Sequence, residues 1–333
     1  MNPVKTFGKF LDQPILVSKL DKAMPKMISA CVGAKVLYDC YETSKKNKTA
    51  SIEEKKANNK ELFKKSVITT FAFASALSAA SVAGFITKRK PIEKLDKVVE
   101  KASNTASEIL ASEKFDDETV DILNKSKNKV LSFKEVKTLS NKLSKVKNGN
   151  DMFNKLIPDP ENITSKEIFS QIGYLSLYGA IPVAGGVAGG VAADVLTKDD
   201  YKKNLPDKIS EGVYQYLANI FMCNVGAGAA LALLEKNNIT SKAARAVGMT
   251  AGIILTGVIG GSKVANLISE KVISPLISPN KKPTERKPEA LDMFMHSDDI
   301  ATVSVLSGLK WIEPALPILY GVSGYRAGTG YRN

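Results

Sequence analysis

Residues 66–86, SVITTFAFASALSAASVAGFI, contain no charged side chain, and they are bracketed by Lys64 and Lys65 on one side and by Lys88, Arg89 and Lys90 on the other. A helix of that length, rising 1.5 Å per residue, reaches about 30 Å, the thickness of a bilayer's hydrocarbon core, with the flanking cations at headgroup depth. In lipid a single segment satisfies its own backbone only as a helix, so this stretch fixes the class of fold.

The mean hydropathy of −0.08 over 333 residues looks water-soluble, but the average hides a segregation. Residues 168–193, 212–234 and 246–262 also lack Asp, Glu, Lys and Arg. Two further apolar stretches carry charge: 27–38 holds Lys35, and 301–324 holds Lys310 and Glu313. Together they predict an all-α, multi-pass membrane protein of about six spans arranged as helical hairpins. Residues 1–26 form an interfacial amphipathic segment, 27–87 a first hairpin, 88–166 a soluble helical insertion, 167–235 a second hairpin, and 236–333 a third hairpin with a C-terminal tail. The similar outlines of GAKVLYDCYETSKKNK (33–48) and GGVAADVLTKDDYKKN (189–204) fit repeated hairpins or the shared demands of helix ends in membranes.

The net charge of +13 does not point to nucleic acid. Of 47 basic residues only Arg89, Arg245, Arg286, Arg326 and Arg332 are arginine, and the lysines are scattered over loops without interleaved aromatics. Phosphate and base recognition favours the rigid arginine fork, whereas dispersed lysines suit loops beside anionic lipid. With six spans the N-terminus, 87–166, 235–245 and the C-terminus share one side. That side is somewhat richer in Lys and Arg, which places it in the cytoplasm and the protein in the cell membrane.

The N-terminus has no signal-peptide layout, because its apolar core starts only at Met27 and no small-x-small site follows it before the polar run at Glu42. Val4, Phe7, Phe10 and Leu11 share a helical face instead, with Lys5, Lys9, Lys19 and Lys22 available to headgroups. This is the pattern of an interfacial helix broken near Pro14, or of an amphipathic segment packed on the rest of the chain. Cys31 and Cys40 would stand about 13.5 Å apart on one helix, beyond disulfide reach, and Cys223 falls within a span. His296 is the only histidine, so no His-based metal cluster can form; no metal and no cofactor are expected.

In the insertion, Pro91 occupies a helix-opening position, and Ile92, Leu95, Val98, Val99, Ala102, Ala106, Ile109 and Leu110 continue with helical spacing. A short helix over about 116–124 comes next, then one carrying Val136, Leu139, Leu143 and Val146 that ends at Asn148-Gly149-Asn150. The loop between them, NKSKNKVLSFKE (124–135), resembles an EF-hand calcium loop. Asn124, Ser126 and Asn128 stand at the first, third and fifth positions, Leu131 at the eighth, Ser132 at the ninth and Glu135 at the twelfth. It departs from that family where Asn124 replaces Asp and Lys129 replaces the turn glycine, and Lys125, Lys127 and Lys129 repel a dication. The resemblance implies a helix-loop-helix unit without calcium. The insertion, 88–166, is available to a soluble protein partner.

Glycine spacing is the most specific signal within the membrane. Gly185 and Gly189, Gly186 and Gly190, Gly248 and Gly252, and Gly257 and Gly261 are each four apart, and so stack into grooves that admit a neighbouring backbone. The neighbour is another helix of this chain or of a second copy. Gln171, Asn219 and Asn224 can bond between helices, and Asp194 marks a helix end. Lys310 and Glu313 share a face beside Pro314 and Pro317, as an intramembrane charged pair or as part of an interfacial segment with Trp311 and Tyr320. Asp298 and Asp299 after His296 suit a helix N-cap better than an acid–base cluster, and no GxSxG, P-loop, HExxH or strand-led GxGxxG is present. These features predict a non-enzymatic membrane protein of structural or assembly type packed through glycine faces. The alternative is a pore or small transporter with Lys310, Glu313, Asn219 and Asn224 along a path.

Overall fold

The computed structural model describes residues 3–88, 95–157, 164–279, 284–290, 292 and 316–331, and every regular element among them is a helix. Local chemistry sets the helix starts. Helix α3 (Ile52–Thr87) opens on a capping box between Ser51 and Glu54, α8 (Ser165–Leu196) on one between Thr164 and Glu167, and each supplies partners to amides that a first turn leaves unbonded. Helix α9 (Tyr201–Tyr216) begins at Asp200, whose carboxylate accepts from the Lys202 and Lys203 amides, and it continues through a π-helical turn (Leu217–Phe221) into α10 (Met222–Lys236). A last rod joins α11 (Lys242–Gly252), a π-helical stretch (Ile253–Gly261), α12 (Ser262–Ile268), a π-helical turn (Ser269–Ile273) and α13 (Ser274–Ile277). Four rods, Ile52–Thr87, Ile172–Leu196, Tyr201–Lys236 and Val247–Ile277, are long and apolar enough to cross a membrane. The chain is an all-α, multi-pass membrane protein.

The chain divides into two compact units. In the first, α4 (Leu95–Ser112), α5 (Asp117–Ser126), α6 (Phe133–Leu143) and α7 (Gly149–Leu156) surround a core that includes Ile109, Leu123, Leu131, Leu139 and Phe153. Pro91 lies outside the described residues. Asn148-Gly149-Asn150 does more than end a helix, because α7 starts there. Asn148 takes a left-handed φ of 59°, and a Cβ at Gly149 would overlap the Leu143 carbonyl. In the calcium-like loop, Glu135 caps α6 reciprocally with Ser132 and pairs with the Lys125 ammonium. Burial pushes the Glu135 carboxyl up, but the hydrogen bonds from Lys125 and Ser132 outweigh it and hold the group at about 2.

The N-terminal segment belongs to this unit, not to an interfacial helix of its own. Helix α1 (Pro3–Leu11) ends at Asp12-Gln13, and Pro14 opens α2 (Pro14–Asn47). Lys9 is 3% exposed; its ammonium donates to the Ile157 carbonyl at 2.6 Å and to Asn154 Oδ1 at 3.1 Å. Gln13 uses its side-chain amide as a strand would use its backbone, donating to the Leu131 carbonyl at 2.9 Å and accepting from the Leu131 amide at 2.7 Å. Phe10 meets Phe133 edge-on with ring centres 6.3 Å apart. Once these buried polar groups are matched, releasing α1 to a bilayer surface would leave a carbonyl and an amide unbonded.

In the second unit α3 packs along α8, and α14 (Leu316–Thr329) lies against α8, α3 and α9. Of the third hairpin expected from 236–333, residues 293–315 lie outside the described residues. α14 wedges beside α3 and α8 while the rod from α11 to α13 packs on α9, α10 and the turn between them. Leu316 and Tyr320 of α14 pack with Ala79, Ala83 and Tyr178, whereas Gly330 reaches Lys208 and Asp207. The end of α14 thus lies at the level of the α8–α9 turn, opposite the level at which α3 ends.

The Glu135 pairing gives a pH dependence of definite sign. Its folded pKa lies below its ordinary 4.5, so its contribution to stability is complete above that value and is lost as pH falls from about 4.5 towards about 2. Protection of the α5 and α6 amides, taken relative to their intrinsic exchange rate at each pH, will fall over this range, and Glu135→Gln will flatten the response.

Candidate functional site

Charge buried at one end of the second unit is the feature that sequence reading did not anticipate. Helix α8 hands over to α9 through residues 197–200, and the uncharged stretches 66–86, 168–193, 212–234 and 246–262 all begin or end at this level. Two ionic groups sit there. In the first, Asp194, 1% exposed, receives Lys64 at 2.6 Å, Lys208, and Asn204 at 3.1 Å. Next to it Lys60 and Lys64 both pair with Asp199; they hold that carboxyl down at about 2, against the pull of burial. Asp194 does lie near a helix end, but it also ties α3 to α8 and α9.

The second group centres on Arg286, which is fully buried. Its guanidinium donates to Asp292 through Nη2 at 3.1 and 3.3 Å, and its Nε faces Glu211 Oε2 at 3.3 Å. The Glu211 contact is Coulombic, since the N–H is not aligned for a hydrogen bond. Arg326 on α14 donates to Glu289 at 2.8 Å and lies 3.8 Å from Glu211 and 3.7 Å from Asp292. The guanidinium of Arg286 stacks 4.6 Å above the Tyr214 ring and that of Arg326 4.7 Å from Tyr331, which suits the weakly hydrated arginine cation. Asn266 holds the Arg286 backbone through both its amide and its carbonyl, each at 2.9 Å. Burial raises the Glu289 pKa, but hydrogen bonds from Arg326 and Tyr331 overcome this and keep it below the ordinary value.

From Glu211 a ladder of amides runs into the membrane level. Gln215 donates to Glu211 at 2.8 Å, and Asn219 donates to Gln215 at 2.8 Å and approaches Asp292 at 3.5 Å. Asn219 therefore belongs to the ionic layer, whereas Asn224 turns back to bond the Ile220 carbonyl on its own helix at 2.7 Å. Lys310, Glu313, His296, Asp298 and Asp299 lie outside the described residues. The signal that would have found the ladder is the spacing of Glu211, Gln215 and Asn219, each four apart on one helical face.

Each of the eight glycines singled out by spacing touches another helix of the same chain. A Cβ at Gly186 would overlap the Gly324 carbonyl and one at Gly190 the Gly328 carbonyl, so α8 and α14 meet backbone to backbone. Gly185 and Gly189 face Ser75 and Phe71 of α3. Gly252 abuts Gly226, Gly248 faces Leu234, and Gly257 and Gly261 lie against Ala218 and its neighbours. Gly324 and Gly328 share the four-residue spacing and would have been flagged by the same rule.

No group of three or more His, Cys, Asp and Glu suited to a metal ion occurs among the described residues, and in the calcium-like loop Lys125 takes up Glu135. A cleft of about 60 Å³ lies between α2 and α3. What the ionic layer does chemically is to lock. It neutralises charge inside the bundle and joins α9, the 284–292 segment and α14 through groups that water cannot replace. Replacing Arg286 by Met strands Glu211 and Asp292, and the detergent-solubilised protein will lose about 3–5 kcal/mol of stability, while Lys287→Met at the exposed neighbour will melt like the parent. Comparison with family models, with curated proteins and with solved structures finds no match for this chain.

Proposed function

We propose that the protein is a membrane scaffold, a structural or assembly component in which a locked helix bundle holds a small helical unit at one face of the cell membrane for a soluble protein partner. The observation that carries this reading is the backbone-to-backbone seating of α14 on α8 at Gly186–Gly324 and Gly190–Gly328. A helix seated in this way has no room to slide, and the ionic layer at its end couples it to α9. Alternating-access transport needs helices that move past one another around a central site. The glycine faces are used within the chain, so assembly with other proteins falls to the helical unit and not to these grooves.

The competing reading, a pore or small transporter, draws on the ladder from Glu211 to Asn219. Reconstituted protein is expected to leave potassium, proton and chloride permeability at the level of empty vesicles; saturable flux lost in an Asn219→Leu variant would replace the scaffold reading with the transport one.

Gly186→Leu with Gly190→Leu tests the seating itself. Added side chains would meet main-chain atoms that cannot yield, which costs about 1–3 kcal/mol at each site. Gly33→Leu and Gly173→Leu are matched controls, because a Cβ at either position meets nothing within 4 Å. The paired variant will insert into membranes yet melt well below the parent, and the controls will not.

A further inference from the structure

Among the described residues of the first unit, Phe7 and Phe133 are the large apolar side chains left exposed, at 54 and 40%. They lie on one seam, between α1 and α6. Phe10 stands half-buried between them, its ring centre 6.5 Å from that of Phe7 and 6.3 Å from that of Phe133. Gln13 meets the Leu131 backbone and Phe10 meets Phe133, so residue numbers fall along α1 as they rise along α6, and the two helices run antiparallel. Phe7, one turn before Phe10, therefore lies beside the second turn of α6.

Helical spacing decides what borders this row. On α6 the core takes Val136, Leu139 and Leu143, while Lys137 shares the Phe133 face one turn on and Lys134 lies next to it towards solvent. Both lysines are exposed, and neither joins an ion pair with a described residue. On α1, Thr6, Lys9 and Gln13 are buried, which turns Phe7 outward. Because the helices are antiparallel, their winding brings Phe7 and the two lysines out on the same side of the seam. The two carboxylates within 3–13 and 133–143 are not open to a partner: Asp12 is buried, and Glu135 pairs with Lys125. The seam is an aromatic row with a cationic border.

We propose that this seam is where the helical unit docks its protein partner, and that the partner presents an acidic amphipathic helix, with a leucine or aromatic side chain on Phe10 between Phe7 and Phe133 and carboxylates one turn apart on Lys134 and Lys137. This rests on the scaffold reading and names its surface. Aromatic side chains bordered by charge have the make-up of an interface centre, and unpaired lysines select carboxylates. A bilayer surface suits the seam less well, because Phe10, the middle of the row, is recessed between two helices, whereas an interfacial helix carries its apolar residues along its crest. A second copy of this chain suits it less well too. Its acidic helix is α5, with Asp117, Glu118 and Asp121 exposed, but Ile122 and Leu123 of that helix are buried in the core and offer no anchor.

The test uses the full chain in phosphatidylcholine nanodiscs and a phage-displayed library of random peptides about four helical turns long. Selected peptides are expected to combine two or more Asp or Glu with at least one Leu, Phe or Trp, at spacings of three or four. The commonest of them, synthesised and labelled, should bind Phe7→Ser about fivefold more weakly than the parent, and the pair Lys134→Gln with Lys137→Gln about fivefold more weakly as well. The pair Lys145→Gln with Lys147→Gln, which removes the same charge from exposed positions past the end of α6, should bind like the parent. Selection without an acidic and apolar consensus, or equal binding by the two lysine pairs, would overturn the proposal. So would sedimentation of the loaded nanodiscs with phosphatidylglycerol liposomes that is lost in the seam variants, which would give the seam to a lipid surface. Should Phe7→Ser melt early, the exposed lysine pair still decides. None of these outcomes touches the flux measurement, on which the scaffold reading stands or falls separately.

Discussion

Close approach of helix backbones is the constraint on which the rest of the membrane unit depends. Lipid tails are as apolar as leucine, so burial alone gives helices no reason to associate, and packing contacts must replace it. At Gly186 and Gly190 the absence of side chains brings α8 against the carbonyls of Gly324 and Gly328, where dispersion contacts are densest. That seating fixes α14, and α14 carries Arg326 to Glu211, Glu289 and Asp292. The glycine contact thus positions the Arg326 part of the buried ionic layer.

The two interactions differ in what they contribute. Glycine contacts add packing at little desolvation cost, whereas burying Arg286, Glu211 and Asp292 has a desolvation penalty that their attraction offsets only in good geometry. Such a layer adds little net stability but penalises every arrangement in which a charge loses its partner. It selects one way of closing the bundle. The Asp194 group acts in the same sense between α3, α8 and α9.

Four of the spans were legible because the absence of charge over seventeen or more residues is a strong signal, and the insertion was legible from helical periodicity. The ionic layer was not. Glu211 stands one residue before an uncharged stretch and reads as a loop charge, while Arg286 and Glu289 lie in a lysine- and proline-rich segment that reads as a solvated linker. Their meeting depends on α14 threading beside α3 and α8, and no local pattern encodes that. The docking of α1 was illegible for a related reason: Lys9 and Gln13 are ordinary surface residues until the Ile157 carbonyl and the Leu131 backbone are placed opposite them. The amphipathic face of α1 showed that it would lie on something apolar, but not whether that would be lipid or protein.

The π-helical turn at Leu217–Phe221 explains how one helix serves two different surfaces. Up to Asn219 the rod presents Glu211, Gln215 and Asn219 on one face, bonded in series; after the turn it presents Cys223 and Gly226 to the glycine stretch at 252–257. A π turn accommodates one extra residue within the helix, and so rotates the α10 side by about 100° relative to the α9 side. With regular α-helical winding throughout, a face aligned to bury Glu211 would carry Gly226 away from Gly252, and a face aligned on Gly252 would turn Glu211 towards lipid. The turn lets polar burial at the membrane border and glycine packing in its interior coexist on the same span, and Asn219, inside the turn, is where the ladder stops.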